Sequence, residues 1–66
     1  MRVTANGREF DVQDDLTVAA FIRDRELDPR FVVVERNGEP LPRDRYEHVT
    51  LAGGDRLELV RAVAGG

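Results

Sequence analysis

MRVTANGREFDVQDDLTVAAFIRDRELDP, residues 1–29, changes its hydrophobic period once, from two residues to about 3.6, and that change decides the fold. Residues 1–5 and 8–13 alternate apolar and polar side chains around Asn6-Gly7. Asn-Gly between such runs is the strongest short signal for a two-residue hairpin, because its turn needs positive φ at both central positions. An antiparallel pair is expected, with Val3, Phe10 and Val12 toward the core and Arg2, Thr4, Glu9 and Asp11 outward. After the change of period, Thr17 stands where an N-cap belongs. Asp14 and Asp15 lie near the positive end of the helix dipole. Leu16 and Phe21 have the spacing of a hydrophobic staple, and Val18, Phe21 and Ile22 form one apolar stripe. Pro29 ends the helix at or before Asp28.

The remainder returns to strand patterning. RFVVVERNG (30–38) is β-branched and stops at a second Asn-Gly, as a central strand before a tight turn does. Pro40 and Pro42 flank Leu41, so EPLPR can form only a short edge strand or an extended loop. DRYEHV (44–49) suits one irregular or 3₁₀ turn, with Tyr46 covering an end of the core. AGGD (52–55) is a turn, and RLELVRAV (56–63) alternates as a last strand with Leu57 and Leu59 inward. The order strand, strand, helix, strand, short strand, strand indicates an α+β domain. By analogy it is the β-grasp (ubiquitin-like) arrangement, a mixed sheet of four to five strands with one helix packed across it. Residues 1–61 form the domain and residues 62–66 a flexible C-terminal tail.

Composition limits what such a chain can do. At 66 residues the chain supports one small core, which leaves little room for a deep catalytic cleft. The net charge is −3, with arginines scattered among carboxylates, so a basic nucleic-acid-binding patch is not expected. There is no cysteine, which removes thiolate metal sites and thiol nucleophiles. All ten basic residues are arginine, so no lysine of this chain can intercept an activated acyl group. Neither a leader segment nor a membrane span is expected, and the composition fits a cytoplasmic protein.

His48 is the single histidine; it lacks companions for a triad or a metal set and reads as a surface or partly packed residue. Asp55, after Gly53-Gly54, reads as a turn-capping carboxylate. Val60 and Ala62 alternate away from Leu57 and Leu59, so they either pack or form an apolar docking patch beside the tail. Arg43 and Arg61 are candidates for charged contacts on the same partner surface.

VVVERNGEPLPRDRYEHVTLAGGDRLELVRAVAGG (32–66), with LTVAAFI (16–22) at the helix start, resembles the ThiS family of ubiquitin-like sulfur carriers of thiamine thiazole biosynthesis. The resemblance covers nearly the whole chain: strand, Asn-Gly turn, Pro-Arg, an aromatic residue, a Gly-Asp turn, a final strand and a terminal Gly-Gly. The related molybdopterin-pathway carriers typically have prolines shortly before the tail, where this chain has VRAV (60–63).

The resemblance implies a protein that is not an enzyme, binds no cofactor and works through the α-carboxylate of Gly66. A ubiquitin-activating-type (ThiF-like) adenylyltransferase would use ATP to form an acyl adenylate there. Sulfur from a donor such as a cysteine desulfurase persulfide would convert it to a thiocarboxylate, and a ThiG-like thiazole synthase would accept the sulfur. Ala64, Gly65 and Gly66 would enter the partner active sites. Two residues without a Cβ make a thin probe that turns freely, and the five residues from Ala62 reach roughly 17 Å when extended. A molybdopterin-pathway carrier, a modifier forming isopeptide conjugates and a plain interaction module are the alternatives to that reading.

Overall fold

The computed structural model describes residues 1–62; Val63, Ala64, Gly65 and Gly66 lie outside the described residues. Five strands, β1 (Arg2–Ala5), β2 (Arg8–Asp11), β3 (Val32–Arg36), β4 (Glu39–Leu41) and β5 (Arg56–Arg61), form one mixed sheet in the order β2-β1-β5-β3-β4. The helix α1 (Val18–Asp24) lies between β2 and β3 in sequence. The last strand is therefore the central one, parallel to β1 and antiparallel to β3.

Both Asn-Gly pairs take the positive φ that a two-residue hairpin turn requires: 51° and 80° at Asn6-Gly7, 54° and 84° at Asn37-Gly38. Register follows, with Val3 opposite Phe10 and Val34 opposite Leu41. The turn asparagines also serve the sheet. Asn6 Nδ2 donates to the Leu59 carbonyl at 3.1 Å while its Oδ1 accepts from the Leu59 amide at 2.8 Å. A side-chain amide thus continues the β1 ladder along β5 after the β1 backbone has turned away. Asn37 does the same at the other end, its Oδ1 accepting from the Arg56 amide at 2.9 Å.

The helix starts where the sequence indicates. Thr17 is the N-cap, with extended backbone and Oγ1 accepting from the Ala20 amide at 3.1 Å. Two further amides of the first turn, left without helical partners as at any helix start, go to the segment after β4: Val18 to the Val49 carbonyl and Ala19 to the Tyr46 carbonyl, both at 2.9 Å. Asp14 and Asp15 do not occupy the first turn. Asp15 has a left-handed φ of 67° in the turn before the cap, and Asp14 lies 3.7 Å from the Met1 amino group.

The helix is shorter than the proline alone requires. It stops at Asp24 in a Schellman closure, the Glu26 amide donating to the Arg23 carbonyl at 2.8 Å and the Leu27 amide to the Ile22 carbonyl at 3.2 Å. Glu26 holds the left-handed position of that closure at φ 60°. A glycine would occupy it without the ~1–2 kcal/mol that an L side chain incurs there. A 3₁₀ turn at Pro29–Phe31, absent from the sequence reading, then leads into β3, capped by the Asp28 side chain on the Arg30 amide. The strand β2 also ends earlier than expected, although the Val12 amide still reaches the Met1 carbonyl at 2.8 Å.

Val18, Phe21 and Ile22 of α1 are buried with Val3, Ala5, Val32, Val34 and Leu57 of the sheet, and Leu16, Tyr46 and Leu51 close the ends of the core. Phe10 meets Phe21 edge to face with centroids 5.5 Å apart, and the Arg25 guanidinium lies 4.5 Å from the Phe10 centroid. The expected 3₁₀ turn falls on Arg43–Arg45, so Tyr46 follows it and points inward as predicted.

Candidate functional site: the end of the central strand

The central position of β5 determines what surrounds its C-terminal end. Leu57 and Leu59 face the helix, the first buried and the second partly so, and Val60 faces the opposite side. Val60 stands directly across from Val33 of β3. The two are 60% and 47% exposed, and Phe31, two residues before Val33, is 45% exposed. The Ala62 amide donates to the Phe31 carbonyl at 2.6 Å, carrying the pairing one residue past the strand. Exposed apolar side chains thus gather at the end of the sheet where the chain leaves it. Two residues back along β5, Glu35 and Glu58 are directly opposite each other on the same face.

Arg61 alternates to the helix side, opposite Val32. It joins Leu27, Phe31, Val32 and Ala62 around a depression of about 290 Å³, with Glu26 and Asp28 also on its wall. Arg43 is elsewhere, exposed in a separate open cleft of about 640 Å³ that shares the Glu26–Asp28 segment as its wall. The structure therefore brings Arg61 and Ala62 together on one depression, places Val60 on the other face of the sheet and leaves Arg43 in the neighbouring cleft. Ala64, Gly65 and Gly66 lie outside the described residues.

Four charged groups of the larger cleft form two pairs. Arg23 pairs with Glu47 and Arg30 with Asp28, the latter at 2.8 Å. The hydrogen bond from Arg23 holds the Glu47 carboxyl below its usual range, and that from Arg30 does the same to Asp28. Such groups stay ionised and are poor proton carriers near neutral pH. His48 is exposed in the turn after Tyr46. Among the described residues no group of three or more histidine and carboxylate side chains could hold a metal ion, and no helix is long and apolar enough to cross a membrane.

Asp55, buried to 5% exposure, is a structural carboxylate. It accepts from the Ala52 amide at 2.8 Å, from Asn37 at 3.0 Å and from Arg36 at 2.9 Å. Burial pushes its carboxyl up, but the bonds from Ala52, Asn37 and Arg36 together outweigh this and hold it below its ordinary value. It caps the turn before β5 and ties it to the β3–β4 turn.

The ThiS family model matches residues 1–66. The chain belongs to the ThiS family. Over 62 residues this ThiS-family chain is 34% identical to the sulfur carrier protein ThiS of Bacillus subtilis, covering 92% of the chain and 94% of that protein. It is also 38% identical, over its whole length, to part of the thiazole synthase of Paramagnetospirillum magneticum, of which it spans only 20%. The crystal structure of the thiamine biosynthesis protein ThiS from Geobacter metallireducens superimposes with a TM-score of 0.82 at 30% identity, covering both chains fully. The solution structure of the thiamine biosynthesis protein from the same organism gives 0.76 at 30% identity, covering 100% of this chain and 88% of that one. These likenesses bear out the β-grasp architecture expected from the element order.

Strand alternation marks Val60 and Ala62 but not Val33, paired with Val60, or Phe31, whose carbonyl takes the Ala62 amide. A signal for Val33 was present: in VVV (32–34), burial of the outer two valines turns the middle one outward. Phe31 gave no such signal, because its 3₁₀ turn breaks the alternation.

Proposed function

We propose that this ThiS-family chain is a sulfur carrier of thiamine biosynthesis that acts as a protein co-substrate through the α-carboxylate of Gly66. The family match over residues 1–66 carries this reading, and the named carrier from Bacillus subtilis supports it. An adenylyltransferase of the ubiquitin-activating type binds ATP. One oxygen of the Gly66 carboxylate attacks the α-phosphorus, pyrophosphate leaves, and a mixed anhydride with AMP results. A persulfide sulfur from a donor such as a cysteine desulfurase then attacks the acyl carbon and AMP leaves. A further thiol opens the acyl disulfide, releasing the thiocarboxylate. The chain itself holds no cofactor in this scheme.

The acceptor is a thiazole synthase, a partner supported by the relative in which a domain 38% identical to this chain is part of a thiazole synthase polypeptide. Ala64, Gly65 and Gly66 enter the partner sites, where a backbone without Cβ passes a narrow channel that keeps water from the adenylate. Val60, Ala62 and Arg61 contact the partner at the end of β5, and Arg43 adds charge from the neighbouring cleft.

Removal of Gly66 tests the reading. In a reconstituted thiazole-forming mixture the shortened chain is expected to give no product above background, with its unfolding midpoint unchanged. Product at the rate of the full chain would rule out Gly66 as the sulfur-bearing residue.

A further inference from the structure

We infer that the depression between the end of α1 and the end of β5 is a docking socket for thiazole synthase, taking one apolar side chain of that enzyme with an arginine or lysine beside it at Glu26. The inference rests on the reading that Gly66 delivers sulfur to that enzyme and adds where and by what chemistry the two proteins grip each other. Ala62 is both a wall of the socket and the residue from which the tail departs. Residues 63–66 span at most about 14 Å, so an enzyme that holds Gly66 in its active site has its entrance rim within that distance of the socket.

The socket's volume, about 290 Å³, is of the order of one large side chain, and Leu27, Phe31, Val32 and Ala62 make much of its wall apolar. Phe31 is 45% exposed, its ring only partly covered by the Arg30 guanidinium 5.3 Å from the centroid.

The lip supplies the charge. Asp28 is already paired with Arg30, whereas Glu26 is exposed and takes part in none of the ion pairs among the described residues. Its backbone occupies the left-handed closure of α1, where glycine is the residue that fits without strain. Arg61 also lines the depression and takes part in none of those ion pairs, so the wall carries one carboxylate and one guanidinium without a partner among the described residues. The complement of the Glu26 carboxylate beside the apolar hole is a cation flanking an apolar side chain. Thiazole synthase is the partner because a relative carries this same domain within a thiazole synthase polypeptide.

Binding of the full chain to thiazole synthase, titrated by calorimetry, tests the socket with two variants. Phe31→Glu places a charge at the mouth from an exposed position and is expected to raise Kd at least tenfold. Glu26→Gly relieves the left-handed strain, so its unfolding midpoint is expected to rise by about 4–8 °C while Kd rises at least threefold and loses salt dependence. Greater stability with weaker binding separates docking from a merely structural role. Both variants binding as tightly as the unaltered chain would overturn the socket and leave the carrier reading standing. No binding by the unaltered chain would overturn the acceptor assignment itself, and the socket with it.

Discussion

Asp55→Ala is expected to cost about 3 kcal/mol of folding stability, read as a fall in the urea midpoint without a change in slope. Three donors converge on this carboxylate: the Ala52 amide, Asn37 and Arg36. Its removal leaves the Ala52 amide, the Asn37 side-chain amide and the Arg36 guanidinium without this partner, and Arg36 is only partly able to reach water, its side chain being 31% exposed. That partial exposure places the estimate at the lower end of the range for broken buried pairs. A domain of this size draws roughly 3–5 kcal/mol from its single core, so the variant would be close to unfolded at room temperature.

The same carboxylate makes stability fall in acid. Because its folded pKa lies below the ordinary 3.8, the contribution is complete above the unfolded aspartate range and is lost as pH falls through that range toward the depressed native value. The unaltered domain should therefore lose stability on acidification more steeply than Asp55→Asn, which has already lost the charge. Parallel acid curves for the two would show that Asp55 does not carry this dependence.

Tyr46→Phe has the second largest expected effect, about 2 kcal/mol, or a drop in Tm of about 8–16 °C. The Tyr46 hydroxyl donates to the Val32 carbonyl at 2.8 Å and accepts from the Val34 amide at 3.1 Å, both inside the core. The phenylalanine ring fills the same space, so the loss is almost purely one of hydrogen bonding to two buried backbone groups. The same residue's carbonyl receives the Ala19 amide, which makes the 42–49 segment a strut between the helix start and β3. A Tm within 2 °C of the unaltered chain would mean that water replaces the hydroxyl there.

These two residues also show what can be read from sequence. Periodicity and turn chemistry specify the elements: both Asn-Gly hairpins, the Thr17 cap and the alternation of β5 appear in the structure where the residues indicate them. Asp55 was legible as a turn cap because a carboxylate after Gly-Gly has a local reason to be there. Its ties to Arg36 and Asn37 were not, since they join residues that approach only after β5 inserts between β1 and β3. The early end of α1 was hidden for a different reason. Glutamate at position 26 gives no sign of a left-handed cap, a place that local propensity assigns to glycine. Likewise the carbonyls of Tyr46 and Val49 that take the Ala19 and Val18 amides come from a distant segment and leave no local sign at the helix start.

For the functional end of the molecule the division is similar. Val60, Arg61 and Ala62 were legible as neighbours of the tail because strand alternation is local. The placement of Phe31 and Val33 against them, and of Glu26 beside Ala62, depends on the antiparallel register of β3 with β5. The apolar core holds β5 at the sheet centre, two asparagine side chains fix its register at both ends, and the strand runs directly to the tail. Stability is thereby concentrated in the body, and in the proposed function the chemistry falls to the backbone carboxylate of Gly66.

The most direct test of that division is the intact mass of the full chain after incubation with ATP, a persulfide donor and an adenylating enzyme shown to be active. A gain equal to the difference between sulfur and oxygen, confined to the C-terminal peptide that ends in Gly66, is the predicted result. An unchanged mass, or a modification located on any other residue, would contradict the account.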